Sequence, residues 1–393
     1  MPLRRRTRSL GGSCFVALFV SFVDQLSAGM VDKAADLNAL PQVPPGFEVK
    51  LVAFSMPGFA TLLSPRQCAD LAVWLLAQKA GAAGRPPAGE VKPAEKAQAQ
   101  GSHAAFAFES RADRLVITLA GAPFGEFVFR HDKVLRPFFA NVRAPGGVQV
   151  TRNFPPIAGT DAMDHDTMHP GISLGFGDLS GNDFWRNRAA IRHERFSEAP
   201  AVRDGRLTFV TESTMLAESG AAIGKMVSRF TLTRRPEGVL LVWDTTITPA
   251  GDGFHFGDQE EMGFAVRVAT PIAEKSGGGI ASSTGAKGAK ATWGQPAAWC
   301  DYSGVIGGQR VGVAIFPDPK NFRPSWWHNR DYGVFVANPF GQKAMKQGEK
   351  SIVEVKRGEP FRLRFGALLH STPAESRLDL PASYAAFKAM RAE

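Results

Sequence analysis

The chain contains 393 residues, of which 44% are apolar and 21% are charged, so it has the composition of a folded globular protein and not of a disordered one. Its net charge of +9 comes without a long basic run, and basic balance alone does not identify a nucleic acid as a partner. We therefore expect no nucleic-acid binding. Its three cysteines form no CxxC or CxxCH motif, which excludes covalent haem and a thiolate zinc site.

The N-terminus has the three parts of an export signal. Arginines in the first eight residues precede an apolar run over residues 13–23, and Leu26-Ser27-Ala28 supplies the small residues of a cleavage site. The apolar run is shorter than the ~20 residues that span a bilayer, although a retained signal anchor is the alternative. We predict a signal peptide over residues 1–28, a periplasmic or extracellular mature protein, and no stable membrane span after cleavage.

Residues 30–80 form a small module of their own. Ser64-Pro65 opens a predicted helix to about Lys79, whose apolar positions repeat at i, i+3, i+4, i+7 and i+8. The stretch from Met56 through Leu75 resembles the C-terminal end of a class I cytochrome c, in which a Met-Pro supplies a haem ligand. The haem-attachment half is missing, so we expect a docking helix and no haem site. Residues 81–103, rich in Ala, Gly, Pro, Lys and Gln, predict a flexible linker.

The segment 104–372 changes to the alternating polarity of β-strands. Short runs alternate apolar and polar residues, are bounded by Gly, Pro, Asp or Asn, and show no long helical periodicity. These runs cover residues 105–108, 114–119, 126–129, 206–210, 227–232, 239–244, 263–268, 310–316, 333–336, 351–355 and 361–369. The pattern predicts an all-β domain, a large antiparallel β-sandwich or its supersandwich-like form, with the N-terminal module as a small helical appendage. Residues 373–393 form a tail, with a short predicted helix from Pro381.

One loop between predicted strands concentrates histidine and aspartate. His165, His169 and three aspartates lie within residues 161–170. Imidazoles can move protons near neutral pH or ligate a metal, and carboxylates beside them orient the rings. We predict His165 and His169 as catalytic residues and as ligands of a divalent metal. The alternative is a hydrogen-bonded turn with solvated aspartates.

An acidic run at the start of a predicted strand carries a second candidate. Glu261 could act there as a general base, and Arg267 on the same strand could hold an anion or a sugar hydroxyl. The alternative is that these carboxylates are only solvated.

A third cluster interleaves aromatic and charged residues over 326–333. A sugar site needs flat apolar faces for stacking and forked polar groups for hydroxyls. From this segment we predict catalytic roles for His328 and Asp331 and substrate binding by Trp327, Arg330 and Tyr332. The alternatives are tryptophans in the core and an ordinary ion pair.

Several motifs in a fixed order resemble the bacterial PmoA-like family, whose name refers to methane oxygenase. The matching segments are 164–170, 177–185, 256–261, 293–304, 327–333 and 337–341, and they extend across residues 105–372. The resemblance implies a β-sandwich and adds Asn338 to the substrate-binding residues. Glu260 stands where the family often has lysine, and the histidine loop departs from the commoner Asp-His-Pro-His-His. A mechanism that needs that lysine or the extra histidine is therefore not implied.

The family's name does not describe the chemistry of this chain. A methane monooxygenase subunit of that name is a bundle of membrane-spanning helices, whereas the pattern here has period two. The resemblance points to bacteria rich in glycan-degrading and sugar-oxidising enzymes. We predict an exported carbohydrate-active protein: a hydrolase, lyase or epimerase acting on a glycoside or oxidised sugar, with a divalent metal as the only cofactor considered. The alternatives are a non-catalytic glycan-binding protein and a structural or redox-complex component.

Overall fold

The structure, a computed structural model, describes residues 106–390. The predicted signal peptide, the cytochrome-c-like module and the linker lie outside the described residues. Within residues 106–390, none of the helices combines the length and the apolar character that crossing a membrane requires.

Strands dominate the described part of the chain, and their pairings there are antiparallel. The first nine are β1 (Phe106–Ser110), β2 (Arg114–Leu119), β3 (Ala122–Val128), β4 (Phe138–Ala140), β5 (Ile172–Phe176), β6 (Ala190–Arg203), β7 (Arg206–Leu216), β8 (Ala222–Arg235) and β9 (Gly238–Pro249). The next nine are β10 (Gly253–Phe256), β11 (Met262–Arg267), β12 (Gly279–Ser282), β13 (Cys300–Ile306), β14 (Gln309–Pro317), β15 (Trp326–Asn329), β16 (Val334–Asn338), β17 (Val353–Lys356) and β18 (Phe361–Pro373).

These strands form two large sheets and one small pair. Sheet I has eight strands in the order β1-β2-β3-β4-β5-β11-β16-β15, and sheet II has eight in the order β12-β13-β14-β18-β9-β8-β7-β6. The pair β10-β17 stands apart from both. Aromatic residues of the two sheets meet between them: Phe264 stacks on Phe365 with ring centroids 5.1 Å apart, and Phe127 lies 4.7 Å from Phe230. The predicted antiparallel β-sandwich is confirmed.

The hairpin of β8 and β9 shows why alternation identified the strands. The predicted turn after Arg235 closes the hairpin, because Arg235 pairs with Gly238 across it. Along β8, Phe230 and Leu232 are fully buried in the core between the sheets, while Thr231 between them is half-buried. One side of the strand therefore faces apolar neighbours, as period-two polarity requires.

Helices are few in residues 106–390. Two short 3₁₀ helices cover Thr270–Ile272 and Glu274–Ser276, and two α-helices are α1 (Ala289–Thr292) and α2 (Leu380–Ala389). The predicted tail helix is α2. The Asp379 carboxylate caps it by accepting a hydrogen bond from the Ala382 amide at 3.0 Å. Phe387 then packs against Phe316 on the outer face of sheet II.

The outer face of sheet I, across its last three strands, carries the polar residues of interest. Side chains alternate between the core and this face along each strand. Those directed outward, termed the site face, are Ala265 and Arg267 of β11, Val334 and Val336 of β16, and His328 of β15. Trp185, from the loop after β5, packs on their apolar members. Residues 141–171, between β4 and β5, supply the histidine loop above it.

Candidate active site

The histidine loop, residues 161–170, has the two predicted imidazoles side by side. The His169 amide donates to the His165 carbonyl at 3.0 Å, and the two ring centroids lie 5.1 Å apart. His165 has a positive φ of 48° and an exposed ring. Its Nδ1 lies 2.9 Å from an Asp164 carboxylate oxygen. The carboxylate beside the pair thus orients one ring, as the sequence predicted.

Two buried arginines hold this loop in place. Arg152 is 1% exposed and donates to four carbonyl oxygens of the loop at 2.6–3.1 Å. Arg267 is also 1% exposed and donates two hydrogen bonds to the Asp164 carboxylate, at 3.0 and 2.8 Å. Although partial burial acts to raise it, the hydrogen bonds from Arg267 and His165 lower the pKa of Asp164 to about 2. This bidentate pair holds the loop in one position and keeps the Asp164 carboxylate charged.

His169 differs from His165 because it is enclosed and lacks partners. It is 5% exposed, and neither of its ring nitrogens has a hydrogen-bond partner. Its ring lies edge-on to Trp185, with centroids 5.7 Å apart. Burial, reinforced by the positive charge of Arg267, holds the pKa of His169 well below its ordinary value of 6.5. In a neutral imidazole one nitrogen is a donor and the other an acceptor, and in His169 both are buried without a protein partner.

Tyr332 connects the histidine loop with a second polar cluster. Its ring lies 4.8 Å from the Arg267 guanidinium and 6.1 Å from the His165 ring. Burial raises the pKa of Tyr332, and the charges that modify this effect come from both clusters: Arg267 with Asp164, and Arg330 with Glu260. The phenol therefore lies within electrostatic range of both groups of residues.

The second cluster consists of Glu260, Arg330 and His328. The Arg330 guanidinium donates to both Glu260 carboxylate oxygens, at 3.2 and 3.1 Å. The Nδ1 of His328 lies 3.4 Å from Glu260, longer than an ordinary hydrogen bond. The interaction with His328, opposed by burial, lowers the pKa of Glu260, whereas burial lowers the pKa of His328. A carboxylate, a guanidinium and an enclosed imidazole are therefore brought together.

The acid beside His328 is Glu260 and not the predicted Glu261. The Glu261 carboxylate forms an ion pair with Arg186, which also donates to Asp183 at 2.9 Å. Adjacent side chains at the start of a strand have different directions. Glu260 and Glu261 therefore pair with different arginines, Arg330 and Arg186. Glu261 lies near the site face but in a separate ion-paired group.

Asn338 is enclosed and is hydrogen-bonded to the backbone around Glu260. It is fully buried, and its amide donates to the Gln259 and Glu260 carbonyls at 2.7 and 3.0 Å. Its side-chain oxygen accepts from the Phe340 and Gly341 amides. Asn338 therefore holds the backbone that presents Glu260, and its substrate-binding role stays a prediction.

Two other predicted residues lie away from this arrangement. Trp327 is fully buried in the core between the sheets, and its indole nitrogen donates to the Ala297 carbonyl at 3.1 Å. Alternation directs Trp327 inward because its neighbour His328 faces outward. The Asp331 carboxylate pairs with Lys275 at 3.5 Å, and no ion pair joins it to a histidine within residues 106–390. Trp327 is therefore a tryptophan of the core, and Asp331 forms an ordinary ion pair, which were the two alternatives to functional roles.

The described residues provide only part of a ligand set for the predicted metal. His165 and His169 are adjacent, but no group of three or more His, Cys, Asp or Glu residues in the described part of the chain is arranged to hold a metal ion. The nitrogens of His169 are buried and have no protein partner, and the neutral form of an imidazole is the one that ligates a metal. Binding of a divalent metal by this pair stays a prediction.

Sequence reasoning missed Glu260 and two buried arginines, Arg136 and Arg152. Arg136 is 2% exposed and donates to the Phe184, Trp185 and Met168 carbonyls at 2.6–3.1 Å. The one sequence feature that pointed to Arg136 was its charge between the apolar Leu135 and Pro137-Phe138. Such a charge is expensive to bury, so it indicates a dedicated set of acceptors.

Comparison with known proteins gives a family but no activity. No curated protein matches the chain in sequence. Among solved structures, the Slr1438 protein from Synechocystis sp. PCC 6803 is 13% identical, and the match covers 67% of this chain and 95% of that chain with a TM-score of 0.31. The sequence pattern of a family of unknown function, DUF6807, matches residues 114–383. This match spans more than half of the chain, so the chain belongs to the DUF6807 family.

Proposed function

We propose that the site face is the active site of a carbohydrate-directed enzyme, a lyase or an epimerase that acts on an oxidised sugar. The observation that carries this proposal is the histidine pair: His165 is exposed, lies beside the enclosed and partnerless His169, and has the Tyr332 ring 6.1 Å away. Enzymes that remove a proton next to a carbonyl need such a base, and a phenol or imidazole to return a proton.

The carboxylates of the site favour a lyase or epimerase over a two-carboxylate glycoside hydrolase. A hydrolase of that kind needs one carboxyl group that stays protonated to donate to the leaving oxygen. Here each candidate carboxylate pairs with an arginine: Asp164 with Arg267, Glu260 with Arg330, and Glu261 with Arg186. An arginine partner stabilises the charged form, which makes these groups poor proton donors.

The proposed chemistry assigns protons to imidazole and phenol groups. His165, the exposed imidazole beside His169, takes the proton from a carbon next to the sugar's carbonyl, and the electron pair of that C–H bond forms a carbon–carbon double bond of an enolate. The negative charge on the carbonyl oxygen is stabilised by Arg330, which is half-buried at the edge of the site.

The two reaction types differ in the second step. In a lyase, the carbonyl re-forms, the electron pair of the enolate double bond moves to form a double bond between the α and β carbons, and the C–O bond at the β carbon breaks. The leaving oxygen takes a proton from Tyr332. In an epimerase, Tyr332 returns a proton to the opposite face of the same carbon. Neither route requires an oxidant or a reductant. Export of the enzyme remains part of the proposal, and a divalent metal on His165 and His169 would replace their roles in proton transfer.

Burial of Trp327 weakens the alternative of a glycan-binding protein, since an aromatic platform must be exposed to stack on a sugar. Trp326 is half-buried and could offer one ring only. The observations on the site face therefore support an enzyme more than a binding platform.

The test is a product screen by mass spectrometry on the purified protein, with keto sugars, uronic acids and plain glycosides, with and without added Mg²⁺, Mn²⁺ or Zn²⁺. We expect turnover of an oxidised sugar, and a loss of about 100-fold or more in the double variant His165→Ala/His169→Ala. Because His169 is buried, the exposed single variants His165→Gln and Tyr332→Phe are measured beside it. His255→Ala, at a histidine of β10, is the matched control and should keep full activity.

Hydrolysis of plain glycosides without any change in oxidised sugars would contradict the proposed reaction class. Turnover that persists in His165→Gln, Tyr332→Phe and the double variant would contradict the assigned site. Circular dichroism spectra of each variant separate loss of chemistry from loss of fold.

A further inference from the structure

We infer that the oxidised sugar bound at the site face carries a carboxylate, so that the substrate class is a uronic acid or a glycan containing one. This inference rests on the proposed function and goes beyond it, because a neutral keto sugar would satisfy the proposed chemistry equally well. Its basis is an excess of buried positive charge around a partnerless imidazole.

Three buried arginines surround the histidine loop: Arg136, Arg152 and Arg267, each at most 2% exposed. Only one carboxylate is in ion-pair contact with any of them in residues 106–390, namely Asp164. It lies 2.8 Å from Arg267 and 3.8 Å from Arg152, and it is itself 38% exposed. Asp164 therefore pairs with two guanidinium groups, and Arg136 has no carboxylate in ion-pair contact, while Asp183 acts on Arg136, and Asp161 and Asp166 act on Arg152, from further away.

Arg136 is held by neutral acceptors. Its guanidinium donates to the Phe184, Trp185 and Met168 carbonyls and to the Asn187 side-chain oxygen, at 2.6–3.1 Å. Carbonyl oxygens satisfy its hydrogen bonds but do not neutralise its charge. Since the local dielectric constant is low, that charge acts over several ångströms.

This positive charge extends to His169. Its ring contacts Trp185, on which the Arg136 guanidinium also lies, 5.8 Å from the ring centroid. Arg152 donates to the His169 carbonyl at 3.1 Å. The buried ring of His169 therefore lies among these guanidinium groups, whose combined field would stabilise an anionic ligand at the exposed groups beside it.

More exposed groups could contact the ligand directly. Arg330 has 35% of its side chain exposed, and its partner Glu260 has 39%. A ligand carboxylate could share the Arg330 fork, because guanidinium binds carboxylates in a bidentate manner. The sugar's hydroxyl groups would then meet His165 and Tyr332, whose rings lie 6.1 Å apart.

The test measures binding separately from turnover. Isothermal titration with D-glucuronate, D-glucose and glucose 6-phosphate is done in about 50 mM and about 500 mM salt, because salt screens charge interactions at this range. We expect D-glucuronate to bind at least about tenfold more tightly than D-glucose, with several-fold weakening at high salt. Arg330→Gln should reduce the affinity for D-glucuronate, while Arg362→Gln, on sheet II, should leave it unchanged.

The outcomes separate this inference from the proposed function. Equal binding of D-glucose and D-glucuronate, or tighter binding of glucose 6-phosphate, overturns the carboxylate assignment. If neutral keto sugars are turned over in a His165-dependent way while uronic acids neither bind nor react, the inference fails and the function stands. If D-glucuronate binds in an Arg330-dependent way but no oxidised sugar is turned over, the function fails and the anion site stands.

Discussion

The outer faces of the two sheets differ in how their charged and polar side chains are paired. On sheet II, beneath α2, charged side chains reach partners of opposite sign: Arg364 donates to Asp318 at 2.6 Å, and Arg362 pairs with Asp244. On the site face of sheet I, buried polar atoms without a protein partner include both nitrogens of His169 and the Nδ1 of His328. Both faces belong to regular antiparallel sheets, so the difference comes from the side chains and the covering loops.

This difference shows how a shared scaffold separates stability from function. On sheet II, the ion-paired Arg364 also lies over the Phe387 ring of α2, so it helps to attach that helix, and the Nδ1 of His370 is a buried atom without a partner there too. Buried polar groups without hydrogen-bond partners cost free energy. They persist in folded proteins mainly where a ligand or a reaction uses them. The four predictions that follow test this contrast, in decreasing order of effect.

The largest expected effect is at Gly171, the residue after the histidine loop. It has φ of +147°, and a Cβ added there would lie 2.1 Å from the Phe139 carbonyl oxygen. Gly171→Ala should therefore force the backbone apart and lower the free energy of unfolding by about 3 to 5 kcal/mol. Urea denaturation measures this change.

The matched control is Gly205→Ala, in the turn between β6 and β7 of sheet II. Gly205 has φ of +71°, but an added Cβ meets nothing within 4 Å. The expected cost there is about 1 kcal/mol, from backbone conformation alone. Similar losses for the two variants would mean that the close approach at Gly171 does not hold the histidine loop.

A second prediction concerns the buried ion pair of the site face. Arg267→Met should lower the free energy of unfolding by about 2 to 4 kcal/mol, since it leaves Asp164 without its bidentate partner. The loss is measured by chemical denaturation, and exchange of loop amides with deuterium should increase in residues 161–170. A loss below about 0.5 kcal/mol would show that Arg152 alone holds the loop.

The third prediction is a decrease in stability as pH falls below 6.5. Burial lowers the pKa of His193 from its ordinary 6.5 to about 4, and it also lowers the pKa values of His169 and His328. Below pH 6.5 the unfolded chain binds more protons than the folded one, so stability that is present above 6.5 is lost as pH falls toward 4.

The slope should approach about 1.4 kcal/mol per pH unit for each histidine that stays neutral when folded. His193→Phe should reduce the slope, because the ring of His193 packs only 4.6 Å from that of Phe129 and a phenyl ring fits the same neighbours. Unfolding measured at pH 7.5, 6.5 and 5.5 gives the slope. An identical slope in His193→Phe would contradict its neutral state.

The smallest expected effect belongs to the opposite face. Arg362→Gln removes the pair with Asp244, but the Arg362 side chain is 46% exposed and Arg364 lies 3.9 Å from the same carboxylate. We expect a loss of about 1 kcal/mol or less. A loss as large as that of Arg267→Met would remove the contrast between the two faces.

The fold was predictable where one side of a strand faces the core and the other faces water. The runs at 206–210, 227–232 and 239–244 lie within β7, β8 and β9, and the sandwich followed from them. Strand β5 was missed, since all five of its residues are buried and the sequence has no alternation there. Strand β6 was missed because bulges shift its register at three places.

The candidate site was predictable in part. His165 and His169 are close in sequence, so a loop brings them together at once, and the outward direction of Arg267 follows from alternation along β11. Tyr332 lies in the turn between β15 and β16, where alternation predicts nothing. The choice between Glu260 and Glu261, and the inward direction of Trp327, depend on one-residue differences in strand orientation. Composition does not contain that information.

The sequence by itself determined the β-sandwich, its tail helix and the residue types available for proton transfer, because polarity period and local spacing depend only on neighbours along the chain. Tertiary structure alone decided that His165 is exposed while His169 is enclosed, and that Arg136, Arg152 and Arg267 converge on one loop. Burial and electrostatic potential arise from residues far apart in sequence, such as Asp164 and Arg267, which only the pairing of distant strands brings into contact.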